Sequence, residues 1–288
     1  MSEAKTEKKA GIPFFSAFFK NIIKDKKALI IHAVLQAITV YSGIRCLLEG
    51  NYNNAMLALL ATALYLIPAA VETLCRVHIP TVLKSIAFLF AFCAEILGEI
   101  NGFYGIFPFW DAILHAICGF IFAAFGFCLA DIFGKKQGDR PSYSPLLLAL
   151  LAFCFSMTIG VFWEFFEYTG DTFFGTDMQK DHVLHSIHSY ILPHYEGSGA
   201  VVNADGIAEM ILYDTEGNVI TRMPGYLDIG ITDTILDMII NFVGALAFSI
   251  IGYFYVKHDG KGRFARQFIP TALPDDPKKR AQENTENN

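Results

Sequence analysis

Six apolar stretches, each close to 20 residues long, dominate this 288-residue chain: about 28–48, 54–74, 82–100, 112–133, 145–168 and 233–256. A helix of about 20 apolar residues matches the hydrocarbon thickness of a bilayer. Within that layer each backbone polar group must find its partner inside the protein, which a helix achieves within one segment. The composition agrees, being 53% hydrophobic and only 17% charged, and argues against a soluble enzyme. The expected fold is all-α and polytopic: about six transmembrane helices and one long outward-facing loop. The expected organisation is a cytoplasmic amphipathic segment at 1–27, a six-helix membrane domain at 28–256 whose outer loop is 169–232, and a disordered cytoplasmic tail at 257–288.

Charge gives the chain a direction. With the N-terminus inside, six spans leave residues 1–27, 75–84, 134–144 and 257–288 on the cytoplasmic side, and these hold 19 of the 22 Lys and Arg residues. Only Arg45, Lys180 and Arg222 remain. Basic residues concentrate in cytoplasmic loops, so both termini are expected inside a plasma membrane. The basic residues read as topology signals and as attraction to anionic lipid, so the bilayer is the expected partner and nucleic acid is not. The first span follows a lysine-rich stretch without a small-residue cleavage pattern, which makes it a retained anchor. The six cysteines lie in or at the ends of spans, as packing thiols do.

Ahead of the first span, Phe14, Phe15, Phe18, Phe19, Ile22 and Ile23 recur at helical spacing, with Ser16, Lys20, Asn21 and Lys24 opposite. That pattern predicts an amphipathic helix lying on the cytoplasmic leaflet as an anchor. The 169–232 loop carries nine acidic residues against two basic ones. Within it, Ile207–Tyr213 and Asn218–Met223 flank Asp214-Thr215-Glu216-Gly217 and read as a β-hairpin, either a lid over the bundle or a passive insertion.

The functional signal is a set of polar rows inside the apolar spans. Glu95 and Glu99, Asp111 and His115, Glu164, Glu167 and Asp171, and Asp233, Asp237 and Asn241 are each spaced i, i+3 or i, i+4, hence one helical face per row. An ionised side chain at membrane depth costs roughly 2.5–3.5 kcal/mol on insertion scales and marks a functional site by default. The alternating direction of the spans puts all four rows at one outward-facing depth. Eight carboxylates crowded there in low dielectric need protons or bound cations to neutralise them. A cluster of Asp, Glu and His suits a divalent metal, with Zn, Mn, Fe or Mg as candidates. The expected ligands are Glu95, Glu99, His115, Glu164, Glu167 and Asp237, with Asp233 and Asn241 secondary. Asp111 and Glu167 are the candidates for catalytic proton transfer.

Plain structural roles compete with this reading. Asp111 and Asp233 precede apolar helices and could be N-caps. Asp171 could lie in solvent, Trp110 and Trp163 could be interface aromatics, and His182, His185, His188 and His194 read as a loose surface group. Gly119, Gly126, Gly244 and Gly252 suit close helix approach. No Walker loop, Gly-x-Ser-x-Gly elbow or His-Glu-x-x-His helix occurs.

Several short motifs together resemble the YjdF-like family of bacterial integral membrane proteins. They are Trp110-Asp111 followed by His115 and Gly119, Trp163-Glu164-Phe165-Phe166-Glu167, Gly175-Thr176-Asp177-Met178-Gln179, and Asp233-Thr234-Ile235-Leu236-Asp237-Met238 with Gly244-Ala245. Gly225-Tyr226-Leu227-Asp228-Ile229-Gly230 looks like the Gram-positive branch. The resemblance covers about 95–256 and implies a bacterial membrane bundle without implying a reaction; the long loop departs from shorter members. Three functions fit: a metal-dependent membrane enzyme acting on an envelope or lipid-borne substrate, a proton- or cation-coupled transporter, or a scaffold whose polar rows only join helices.

Overall fold

Among the described residues of the computed structural model, six helices are long and apolar enough to cross a membrane: Lys26–Leu48, Tyr52–Leu74, Thr81–Ile100, Trp110–Ile132, Pro145–Phe174 and Ile231–Lys257. The structure describes residues 11–135, 143–192 and 201–272. The chain divides into two compact units, residues 1–159 with 240–288 and residues 160–239.

In the first unit α1 (Gly11–Lys24) leads into α2 (Lys26–Leu48) across Asp25. The Asp25 carboxylate accepts from Lys27 N and Ala28 N, both 3.2 Å, which satisfies orphan donors at the start of α2. Its other oxygen accepts from Thr81 Oγ1 at 2.5 Å and so ties that junction to α5 (Thr81–Ala91). The second span is two helices, α3 (Tyr52–Leu64) and α4 (Ile67–Leu74), because Pro68 in the first turn of α4 has no N–H to continue a helical ladder. Tyr65 at this break is buried, and its hydroxyl lies 3.0 Å from Thr39 Oγ1.

The third span changes type midway. After α5 the chain runs as a π-helix from Phe92 to Ile100, closed by an i→i−5 bond from Asn101 N to Ile96 O at 3.1 Å. A short α6 (Phe103–Ile106) leads to α7 (Trp110–Lys135). Two further helices complete the set, α8 (Pro145–Phe174) and α9 (Ile231–Lys257).

Small residues set the packing of α7 and α9. A Cβ at Gly119 would collide with the backbone oxygen of Asn241, and one at Gly244 with that of Ala116. Close approach of this kind drives helix association where lipid removes the hydrophobic incentive. Around the crossing, Ala123, Ala124, Phe127, Leu148, Ala152, Ala245 and Phe248 form the main core. Ser156 Oγ donates to Gly119 O at 2.7 Å, so a buried hydroxyl is satisfied where α8 meets α7. Lys84 and Glu72, both buried, pair at 2.9 Å, and Glu72 also accepts from Ile79 N at 2.9 Å.

The tail differs from the expectation of disorder beyond 257. Ala265 and Ile269 are buried in the main core, and Phe268 stacks edge-on against Phe120. Strand β8 (Thr271–Ala272) pairs antiparallel with β1 (Val77–His78). The apolar trio Phe264, Phe268 and Ile269 in a polar stretch carried that information. Residues 273–288 lie outside the described residues.

The second unit, residues 160–239, is wider than the 169–232 loop because it includes the ends of α8 and α9. Among its described residues, six short strands make three antiparallel ladders. β2 (His182–Leu184) pairs with β7 (Tyr226–Asp228), β3 (Ser186–Ser189) with β4 (Val202–Asp205), and β5 (Glu209–Tyr213) with β6 (Val219–Pro224). The third ladder is the expected hairpin. In its turn the Asp214 carboxylate accepts from Glu216 N at 2.9 Å and Asn218 N at 2.7 Å, while Gly217 adopts φ 86°.

Candidate acidic site

Three carboxylates meet within the second unit. Glu164 and Glu167 lie one turn apart on α8, and Asp237 is on α9. Their exposures are 5%, 6% and 4%, and one oxygen from each lies within 4.8 Å of the others. Trp163 Nε1 donates to Glu167 Oε1 at 2.8 Å, which fixes the rotamer of a long side chain. Trp163 is thus more than an interface aromatic.

The loop after α8 brings these helix ends together. The Asp171 carboxylate accepts from Thr176 Oγ1 (2.7 Å), Met178 N (2.7 Å) and Gln179 N (2.8 Å), folding residues 176–179 back over the last turns of α8. Gly170 makes room, since a Cβ there would press on Thr176 Oγ1 and Met178 Sδ. Gln179 Nε2 then donates to Thr234 Oγ1 at 2.5 Å, and Lys180 N donates to Asp233 Oδ2 at 2.7 Å. Asp228 Oδ2 accepts from Thr232 N at 2.7 Å and fixes the start of α9.

Several expected roles change. Asp171 does not lie idle in solvent but organises the loop. Asp233 and Asp111 are not N-caps; both sit inside the first turn of their helices, where a negative charge complements the helix dipole. Asp233 serves the loop through Lys180 N and lies 3.6 Å from His182 Nε2. Asp228 stands out in the sequence only through the Gly225–Gly230 motif, because its partner is four residues away at a helix start that periodicity does not locate.

In the first unit, Asp111 Oδ1 and His115 Nε2 lie 3.6 Å apart, and His115 is buried. Asn241 is buried and donates from Nδ2 to Met157 Sδ at 3.6 Å. Glu95 is half-buried and Glu99 is exposed. Among the described residues neither joins a metal-compatible group of His, Cys, Asp and Glu. Two of the loop histidines make polar contacts within the second unit: His185 Nδ1 lies 3.0 Å from Ile207 O and His188 Nδ1 lies 2.7 Å from Asn203 Oδ1. His194 lies outside the described residues.

A family model described as a predicted membrane protein, DUF2238, matches residues 27–258. The chain belongs to this family. The match spans all six apolar helices, and membership of DUF2238 agrees with the resemblance carried by the motifs at 110–119, 163–167 and 233–245. No curated protein and no solved structure matches the chain.

Proposed function

We propose that this DUF2238 protein binds a divalent cation at Glu164, Glu167 and Asp237 and uses it in a metal-dependent reaction on an envelope or lipid-borne substrate. The observation that carries the reading is the meeting of three buried carboxylates. Like charges so close in a low-dielectric setting repel, and a cation relieves that repulsion while satisfying oxygens. An all-carboxylate set favours a hard ion such as Mg or Mn over the thiolate-preferring metals. It is narrower than the six ligands expected from the sequence, since among the described residues neither Glu95 nor Glu99 joins a metal-compatible group and His115 belongs to the first unit. A bound metal supplies an acidified water. Glu167, oriented by Trp163, would serve as one of the ligands to that ion.

Charge sidedness supports an outward-facing site, since residues 160–239 contain only Lys180 and Arg222 among 22 basic residues. Both termini are then cytoplasmic. A cysteine at Ser198 of a cysteine-free version should label from outside in intact cells, and one at Ser142 should not. The site itself is tested by metal analysis of the purified protein beside a Glu164→Gln/Glu167→Gln variant. The wild type should retain a stoichiometric divalent ion and the variant should not; equal metal content in both would sink the assignment.

A further inference from the structure

Helix α1 presents three different sectors. Asn21 Nδ2 donates to Thr73 Oγ1 at 3.0 Å, and the neighbouring Phe18 and Ile22 are partly buried, so this sector docks on α4. Thr73 is in the final turn of α4 and near the end of a membrane-spanning stretch, Tyr52–Leu74. That contact sets the depth of α1 at the place where the span leaves the bilayer. A second sector, Phe15, Phe19 and Ile23 at i, i+4 and i+8, is 62%, 62% and 63% exposed. The third sector carries Lys20 and Lys24, both exposed, and Lys26 and Lys27 follow immediately. The acid among them, Asp25, is engaged by Lys27 N, Ala28 N and Thr81 Oγ1.

A large apolar row at the depth of an interface, rimmed by four lysines, matches acyl chains below anionic headgroups. We infer that α1 is a lipid-binding element that selects anionic phospholipid headgroups in the leaflet bordering its own side of the bundle. The apolar row enters the acyl boundary while the lysines stay at headgroup level, their stems running along the apolar surface. This goes beyond an anchoring role, because the lysine rim makes occupancy depend on lipid charge.

The test uses the full chain, with its native cysteines replaced, in vesicles of phosphatidylcholine with one quarter phosphatidylglycerol. A spin label at Phe19→Cys should meet dissolved oxygen and be shielded from a water-soluble nickel chelate, and a label at Lys24→Cys should show the reverse. The unlabelled protein should retain phosphatidylglycerol at about twice its bulk fraction, and Lys20→Gln/Lys24→Gln/Lys26→Gln/Lys27→Gln should remove most of that excess. Nickel contact at Phe19 equal to that at Lys24 would overturn the burial of the apolar row. An undiminished phosphatidylglycerol excess in the four-lysine variant would overturn the selectivity.

Discussion

Glu72 in the first unit and Glu164 in the second are buried to nearly the same extent, at 4% and 5% exposure, yet their surroundings are opposite in kind. Glu72 faces a buried ammonium, Lys84, at 2.9 Å and a backbone donor. Glu164 is crowded by two more carboxylates. Composition tells the same story, with 13 acidic and 2 basic residues in 160–239 against 15 and 20 in the rest of the chain. A matched buried pair supports the fold, whereas carboxylates crowded together in a buried setting work against it unless protons or a cation offset their charge. Burial alone therefore does not separate a structural carboxylate from a functional one; the sign of its neighbours does.

That contrast can be broken by mutation. Lys84→Met leaves Glu72 buried beside a methyl group, and removing one partner of such a pair costs about 3–5 kcal/mol. Its thermal midpoint in detergent should fall sharply, whereas Glu164→Gln measured in chelator should match or exceed the wild type. A Glu164→Gln loss as large as that of Lys84→Met would erase the distinction. Packing is the next largest effect. Gly119→Ala and Gly244→Ala force methyl groups onto backbone oxygens, and overpacking of this sort costs about 1–3 kcal/mol, read as a lower midpoint for each.

Smaller effects sharpen the account of the second unit. Asp171→Ala removes three hydrogen bonds to a carboxylate that solvent reaches, so water replaces part of what is lost and the effect stays local to the loop. The expected readout is faster amide exchange at Met178 and Gln179 with the six spans unaffected; unchanged exchange there would remove Asp171 from its organising role. The least effect belongs to the hairpin. Side-chain and backbone hydrogen bonds from Asn218 hold the Asp214 carboxyl below its ordinary value of 3.8. Because the folded value is the lower one, its contribution is present above the ordinary range and is lost only as pH falls through the depressed value. Exchange protection in 209–224 should be flat from pH 8 to 5, and Asp214→Asn should lower it throughout.

The spans were legible because bilayer thickness imposes a length that apolar runs display directly, and the row Glu164–Glu167 was legible because α-helical spacing is a local property. Glu95 and Glu99 have the same kind of local spacing yet join no metal-compatible group among the described residues, because spacing along one helix does not say which helices stand beside its face. The Asp171 loop and the β2–β7 ladder escaped for another reason. Their partners are set by specific hydrogen bonds, in one case across seven or eight residues and in the other across about forty, and three-residue strands have no periodicity to read. The 265–272 segment shows the same limit, since its apolar residues gain meaning only once Phe120 and Val77 stand beside them.

The central claim is that the concentrated negative charge at Glu164, Glu167 and Asp237 is balanced by a divalent cation, and the most direct measurement is the thermal midpoint of purified protein with chelator and with added Mg or Mn. Binding to the folded state alone adds about 2.7 kcal/mol at a hundredfold excess over Kd. Chelation at neutral pH should lower the midpoint of the wild type, acidification should partly restore it by protonating the ligands, and Glu164→Gln/Asp237→Asn should abolish the chelator response. A wild-type midpoint indifferent to chelator and metal from pH 5 to 8 would contradict the account and leave the acidic row as a scaffold, while a midpoint that responds to pH alone would assign the neutralising charge to protons.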